Sequence, residues 1–226
     1  MSFYIGIDIG TSGTKALVMD ANARVLATAT SEHGVSVPRA GWSEQDPNDW
    51  WKSTVAAVGA VLKKSHIRPS QVGGIGLSGQ MHGLVVTDDA GECLRPAIIW
   101  NDQRTALEAL EIEQKVGGRD KLIELVGNRA MTSFTMTKLL WLRKHQPMVY
   151  AKIRHLLLPK DYVRLRLTGE YVGDVSDMSG TLMLDQRTRT WSGKIISAFE
   201  IDKDILPPVV ESHEIAGRLT AQAAAA

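Results

Sequence analysis

Asp8 closes an apolar run, Phe3-Tyr4-Ile5-Gly6-Ile7. After it come Ile9-Gly10-Thr11-Ser12-Gly13-Thr14-Lys15 and a second apolar run, Ala16-Leu17-Val18-Met19. A carboxylate at a strand end can hold Mg²⁺, directly or through water, because Mg²⁺ takes oxygen ligands and keeps its waters. Thr11, Ser12 and Thr14 add hydroxyls. Gly10 and Gly13 permit a tight reversal, and the N–H groups of such a turn can cradle phosphate oxygens. Lys15 supplies a positive charge suited either to a phosphate or to a structural carboxylate. Neither G-x-x-x-x-G-K-[ST] nor a helix-opening G-x-G-x-x-G is present. An ordinary glycine-rich hairpin is the plainer reading of the same residues.

Two further stretches carry polar groups where a strand should end, and a third is an irregular segment after a helix. Gln80-Met81-His82-Gly83 follows the run Val72–Ser78, and ligand sites of open α/β sheets lie beyond the carboxyl ends of strands. There His82 can hydrogen-bond a hydroxylated ligand through either ring nitrogen and Met81 can pack on its apolar face; a partly buried His beside a core Met is the alternative. Trp100-Asn101-Asp102-Gln103-Arg104 follows Ala97-Ile98-Ile99. Asp102 there either binds hydroxyls or caps the next helix. In Gly127–Thr135, Phe134 is either a pocket wall or a core residue. Asp161 and Asp177 read as caps, and Trp42, Trp50, Trp51 and Trp141 as core. No His/Cys spacing suits zinc and no serine nucleophile elbow occurs.

The elements that must position these groups follow from periodicity and punctuation. Phe3–Ile9 and Ala16–Asp20 read as a hairpin, and Arg24–Thr30 as a third strand, giving an antiparallel β-meander. Asp46-Pro47-Asn48-Asp49 starts a helix, with Asp46 as cap and Pro47 at the first position. Trp51, Val55, Val58 and Leu62 place its buried face, and it ends near His66. Strands are expected at 72–78, 84–87, 97–100, 156–158, 170–173 and 181–184. Helices are expected at 104–116, up to Val126, around 139–146, from Pro147 towards His155, from Lys160 to Gly169, and at 191–199. Asp174–Gly180 reads as a loop. The order predicts one mixed α/β domain.

The 226 residues carry a net charge of +1 with signs interspersed, which argues against nucleic acid or a membrane surface as partner. The single cysteine, Cys93, excludes an internal disulfide and fits a reducing compartment. No signal peptide is evident and no stretch approaches the ~20 apolar residues of a membrane span. A cytoplasmic location is expected. The terminal Ala221-Gln222-Ala223-Ala224-Ala225-Ala226 favours helix and has no stop signal, so the chain reads as a fragment of a longer protein.

The first turn resembles the phosphate loop of the actin-like ATPase superfamily. With Trp42–Pro47, Gly79–Gly83, Trp100–Arg104, Thr137–Trp141, Leu158–Tyr162 and Asp174–Thr181 in the same order, the chain is similar to the N-terminal domain of the FGGY carbohydrate kinases. Met81-His82, where glycerol kinases carry Arg-Glu, points to the xylulokinase branch. The resemblance spans nearly the whole chain and implies one RNase H-like domain, residues 1–226, with a mixed sheet and helices around it. It implies ATP and Mg²⁺ as cofactors and a ketose, D-xylulose, as the phosphate acceptor. Asp8 would serve the Mg²⁺–phosphate end. Thr11, Ser12, Thr14 and Lys15 would lie on the nucleotide side. Met81 and His82, with Asp102 and Phe134, would form the sugar side. Most ATP contacts and the general base would belong to a second domain, in a Gly-Gly-x-Asp-Asn type loop that these residues do not contain, so the fragment alone should be inactive. Ribulose, gluconate, fuculose or glycerol as substrate, or a non-catalytic sugar-binding module, are the competing readings. Oligomeric state stays open, a homodimer included.

Overall fold

The computed structural model describes residues 2–226. The first three strands are β1 (Phe3–Ile9), β2 (Gly13–Asp20) and β3 (Val25–Glu32), each antiparallel to the next. They form the expected meander. In β1, Phe3, Ile5, Ile7 and Ile9 are buried while Tyr4 and Asp8 are exposed, the period-2 alternation of a sheet with one covered face. A two-residue strand β4 (Glu44–Gln45) precedes helix α1 (Pro47–Ser65). The Asp46 side chain accepts from Asn48 N–H, as its cap role requires. The buried face of α1 is Trp50, Ser53, Thr54, Ala57 and Val61, one residue around from the expected stripe. The polar pair is accommodated because both hydroxyls donate to the Trp50 carbonyl, at 3.0 and 2.7 Å. Trp51, Val58 and Leu62 only flank this core.

Strand β5 (Val72–Gly79) returns parallel to β1, so the sheet is mixed, in the order β3-β2-β1-β5. The parallel register pairs Ile9 with Gly79. The β1–β2 turn and the segment after β5 therefore leave the sheet side by side. Three short strands follow: β6 (Val85–Thr87), β7 (Ala97–Ile98) and β8 (His155–Leu157). Alternate residues of these strands enter two different cores. Val85, Ala97 and Leu157 pack with β1, α1 and the helix Pro159–Thr168, whereas Val86, Ile98 and Leu156 pack with the helical half. The strands act as a wall shared by both cores, and it is near this wall that the polar segments open.

The helices that follow are α2 (Ala106–Val116), α3 (Arg119–Val126), α4 (Thr135–His145), α5 (Pro147–Tyr150), α6 (Pro159–Thr168), which packs on the β1–α1 core, and α7 (Val175–Met178). The α5 helix is a single turn and stops well short of His155. The segment 174–180, expected as a loop, is helical: Asp174 caps α7 by accepting from Ser176 and Asp177 N–H, and a 3₁₀ turn covers Ser179–Thr181. Thr181 is thus not in a strand. Strand pairing there is limited to Leu184–Asp185 with Thr190–Trp191, and the helix expected at 191–199 is confined to Gly193–Ala198. Cys93 is half-buried, and burial pushes its thiol up to about 12, which makes it a packed, unreactive side chain.

Candidate functional site

Asp8 lies on the exposed face at the end of β1, where its Oδ1 accepts from Ser78 Oγ at 2.7 Å. Ser78 is its direct partner across the β1–β5 ladder. Beyond it the chain reverses between Gly10 N–H and the Gly13 carbonyl, 3.0 Å apart. A Cβ on Gly13 would stand 2.8 Å from the Ser31 carbonyl, so this close approach to β3 requires glycine. Thr11 and Ser12 occupy the tip, and their N–H groups donate to no group among the described residues. That leaves two adjacent donors for an outside acceptor. Lys15 is exposed opposite Asp8 in the β1–β2 register, so both side chains share the open face.

Thr14 departs from its expected role. It is fully buried and its hydroxyl is 2.8 Å from Ser53 Oγ on α1. The alternation of β2 sends it inward with Ala16 and Val18, so it anchors the hairpin to α1 and offers no hydroxyl to the tip.

Gln80 joins the two open segments. Its N–H donates to the Ile9 carbonyl at 2.7 Å and its Nε2 to Gln45 Oε1 at 2.7 Å. Gln45 Nε2 in turn donates to the Thr11 carbonyl at 2.7 Å. Trp100 Nε1 donates to Thr11 Oγ1 at 2.9 Å, while the indole stays 43% exposed. This network is tertiary, and sequence reasoning used Gln45 and Gln80 only as parts of motifs. The signal available was the Gln80 amide directly after a glycine-rich apolar run; Gln45, among polar residues, gave none.

Past Gln80 the chain presents Met81 at 54% exposure and His82 half-buried. His82 has φ of +66°, the left-handed region that costs a non-glycine residue free energy. Its ring meets Phe134 edge to face, centroids 4.6 Å apart. Gly180 packs against the other side so closely that any Cβ there would overlap the ring. Burial, then the nearby Lys138 charge, pull the His82 pKa down to about 4. The imidazole is neutral at pH 7, with one nitrogen able to donate and the other to accept. Met81, His82 and Phe134 are therefore brought together. Phe134 is itself buried, so it backs the imidazole more than it lines open space.

Asp102 does not join them as a ligand-binding carboxylate. It is fully buried; its Oδ2 accepts from Ser43 N–H at 2.6 Å, and Arg104 clasps both oxygens at 2.7 to 3.0 Å. The Arg104 guanidinium also lies 3.6 Å from the Trp42 ring centre. A carboxylate with both oxygens engaged in this way fixes the loop after β7 and leaves Trp100, Asn101 and Gln103 as its exposed residues.

A hollow of about 650 Å³ beside the turn is lined by Ser12, Gly13, Thr30, Glu32, His33 and Gly34. It touches the phosphate-type turn but none of Met81, His82 or Phe134. The arrangement thus has two ends on one ledge: free N–H groups with a carboxylate at one, a neutral imidazole with a thioether and an indole at the other. Such a pair suits an anionic group next to a hydroxylated, partly apolar molecule. Among the described residues no three His, Cys, Asp or Glu side chains gather into a metal-binding group. One accessible carboxylate fits a Mg²⁺ held mainly by water and phosphate oxygens and does not make a protein cage.

Comparison with known proteins gives the family. Residues 3–226 match the pattern of the FGGY family of carbohydrate kinases, N-terminal domain. A xylulose kinase of Klebsiella pneumoniae is 42% identical over 223 residues, covering 99% of this chain and 45% of that protein. The crystal structure of a xyloylose kinase from Brucella ovis superposes with a TM-score of 0.93 at 41% identity, covering 97% of this chain and 46% of that one. A xylulose kinase from Rhodospirillum rubrum gives 0.93 at 30% identity, covering 99% and 46%. The chain spans about 45% of the length of the curated relatives it matches. With its mixed sheet, capped helices and polar ledge at the ends of β1 and β5, the chain belongs to the FGGY family of carbohydrate kinases, whose solved members share its actin-like ATPase fold.

Proposed function

We propose that this chain is the sugar-binding part of an ATP-dependent kinase that transfers phosphate to the 5-hydroxyl of D-xylulose. The observation that carries this reading is the coupling of the two ends of the ledge. Gln80 and Gln45 tie the Gly10–Gly13 turn to the segment bearing Met81 and His82, so a phosphate at one and a sugar hydroxyl at the other would be held in fixed relation. Fixed relation is what phosphoryl transfer mainly requires of a protein. Xylulose kinases among the relatives support the choice of sugar.

In this reading His82 hydrogen-bonds a sugar hydroxyl, Met81 and Trp100 cover its carbon face, and the Thr11 and Ser12 N–H groups meet the transferred phosphate. Asp8 would hold Mg²⁺ through water, and the ion would neutralise charge on the phosphates. Lys15, on the same face, would add a positive charge there. No carboxylate here is assigned as general base, since Asp102 is engaged and Asp8 faces the phosphate end. The chain acts as one wall of a cleft, inactive by itself, in the cytoplasm. No helix among the described residues is long and apolar enough to cross a membrane.

Calorimetric titration of the chain with D-xylulose, D-ribulose, gluconate and glycerol tests the sugar assignment. Binding of D-xylulose at least tenfold tighter than the others is expected. Preference for another of the four would reassign the substrate.

A further inference from the structure

Lys138 is fully buried on α4, and its Nζ touches three backbone carbonyls. It donates to the His82 carbonyl at 2.9 Å, to that of Phe134 at 3.4 Å and to that of Ser133. These carbonyls come from two segments far apart in sequence, the one after β5 and the one before α4. They are the two segments whose side chains, His82 and Phe134, meet edge to face. Thr135 Oγ1 adds a second bond to the His82 carbonyl at 3.2 Å. His82 holds a left-handed backbone, which persists only where the surroundings over-determine it. The bonds from Lys138 and Thr135 are that over-determination. Asp102 and Arg104, from the loop after β7, are the other charged groups acting on Lys138, and His82 is the titratable group beside it. Asp102 is already clasped by Arg104, so the ammonium's hydrogen bonds go to neutral carbonyls.

We propose that Lys138 is a positioning residue of the sugar site, clamping the His82 and Phe134 segments together and so setting ligand affinity without touching the ligand. This rests on the sugar-site reading above. A buried lysine with no ion pair of its own is expensive merely as filler. Its cost is matched by what it holds: a strained residue whose half-buried imidazole packs on Phe134 and Gly180.

The test compares the parent chain with Lys138→Met, which keeps length and removes the donors, and Lys138→Arg, which restores them. Amide hydrogen exchange is followed at residues 80–84 and 131–135, and D-xylulose is titrated by calorimetry. The clamp predicts that Lys138→Met speeds exchange in both segments together, by tenfold or more, while β1 and β2 keep parental rates. It also predicts a tenfold or greater loss of D-xylulose affinity, recovered in part by Lys138→Arg. Parental exchange in both segments of a folded Lys138→Met, or loosening spread evenly over the whole chain, overturns it. If the parent itself binds no D-xylulose, the sugar reading falls and the exchange result still decides the clamp. Should Lys138→Met not fold, the parent alone decides: a slowly exchanging Lys138 Nζ signal in ¹⁵N NMR supports the clamp, and solvent-rate exchange rejects it.

Discussion

Lys138 and Lys160 are both buried lysines near the ledge, and their surroundings are opposite. Around Lys160 stand three carboxylates: Asp161 at 2.7 Å, Asp174 at 2.6 Å and Asp177 at 3.0 Å. Burial works to lower its pKa, but Asp161, Asp177 and Asp174 together overcome that and raise it. Around Lys138 the hydrogen-bond partners are carbonyls. Burial drives its pKa down to about 7, with Asp102 working against the fall and Arg104 adding to it. The same side chain, buried in both places, is a firm cation in one and a marginal one in the other. The difference lies in whether the partners carry charge. The Lys160 cluster binds α6 to α7 as a structural ion network. Lys138 holds loops whose arrangement matters for a ligand.

Breaking the comparison at Lys160 should have the largest effect. Lys160→Met leaves Asp161, Asp174 and Asp177 with Arg164, 3.1 Å from Asp161, as the remaining cation. A loss of about 3–5 kcal/mol in denaturant unfolding is expected, the usual result of stranding buried charge. Lys138→Met should cost less, about 1–3 kcal/mol, because it strands neutral carbonyls. Equal losses for the two variants would show that the lysines do not differ as described.

Their pH dependences should also have opposite sign. The folded-state pKa of Lys138 lies below the unfolded value, so the folded chain binds fewer protons between about pH 7 and the ordinary lysine range of about 10.4. Its contribution therefore rises with pH across that window. Lys160 is raised, so its contribution is full below the ordinary lysine pKa and is lost above it. Unfolding free energies of the parent and Lys138→Met between pH 7 and 10 should draw apart, with the parent gaining; a constant difference would refute the Lys138 assignment.

Gly180→Ala sharpens the other side of the comparison. A methyl there overlaps the His82 ring, and about 1 kcal/mol of overpacking is expected, with a fall in D-xylulose affinity larger than the stability change. Unaltered affinity would mean that the His82 orientation is not needed.

The smallest effect belongs to Asp177. Burial raises its pKa to about 6, against the pull of Lys160. A raised carboxylate contributes stability at low pH that is lost as pH rises from about 3.8 to about 6. Asp177→Asn should flatten the stability profile in that window, and an unchanged slope would place the proton elsewhere in the cluster.

How much of this was legible depended on whether the cause was local. The β1–β2 hairpin declares itself through apolar alternation broken by Gly10 and Gly13, and α1 through Asp46-Pro47, because caps and turns act within a few residues. Segment 174–180 reads as a loop from its polarity, whereas Asp174 accepts from the Ser176 and Asp177 N–H groups and caps a helix. Thr14, and Asp102 in its ligand-binding alternative, read as outward-facing from their motifs. Their direction is set by strand parity in one case and by Arg104 in the other. Lys138 sits in Thr135–Leu142, where every residue is buried. A lysine within a helix that is buried on all sides is a signal that partners must exist; those at 133 and 134 are local, but the one at 82 comes from a distant segment. The Gln45–Gln80 link likewise needs the parallel β1–β5 register before it can be seen.

The segment leaving β5 is proposed as the sugar site, and titration of D-xylulose into the parent chain and His82→Ala is the test of that assignment. The assignment predicts saturable binding to the parent and at least a tenfold loss in a folded His82→Ala. Equal affinity for both, or no binding by a folded parent, would contradict it.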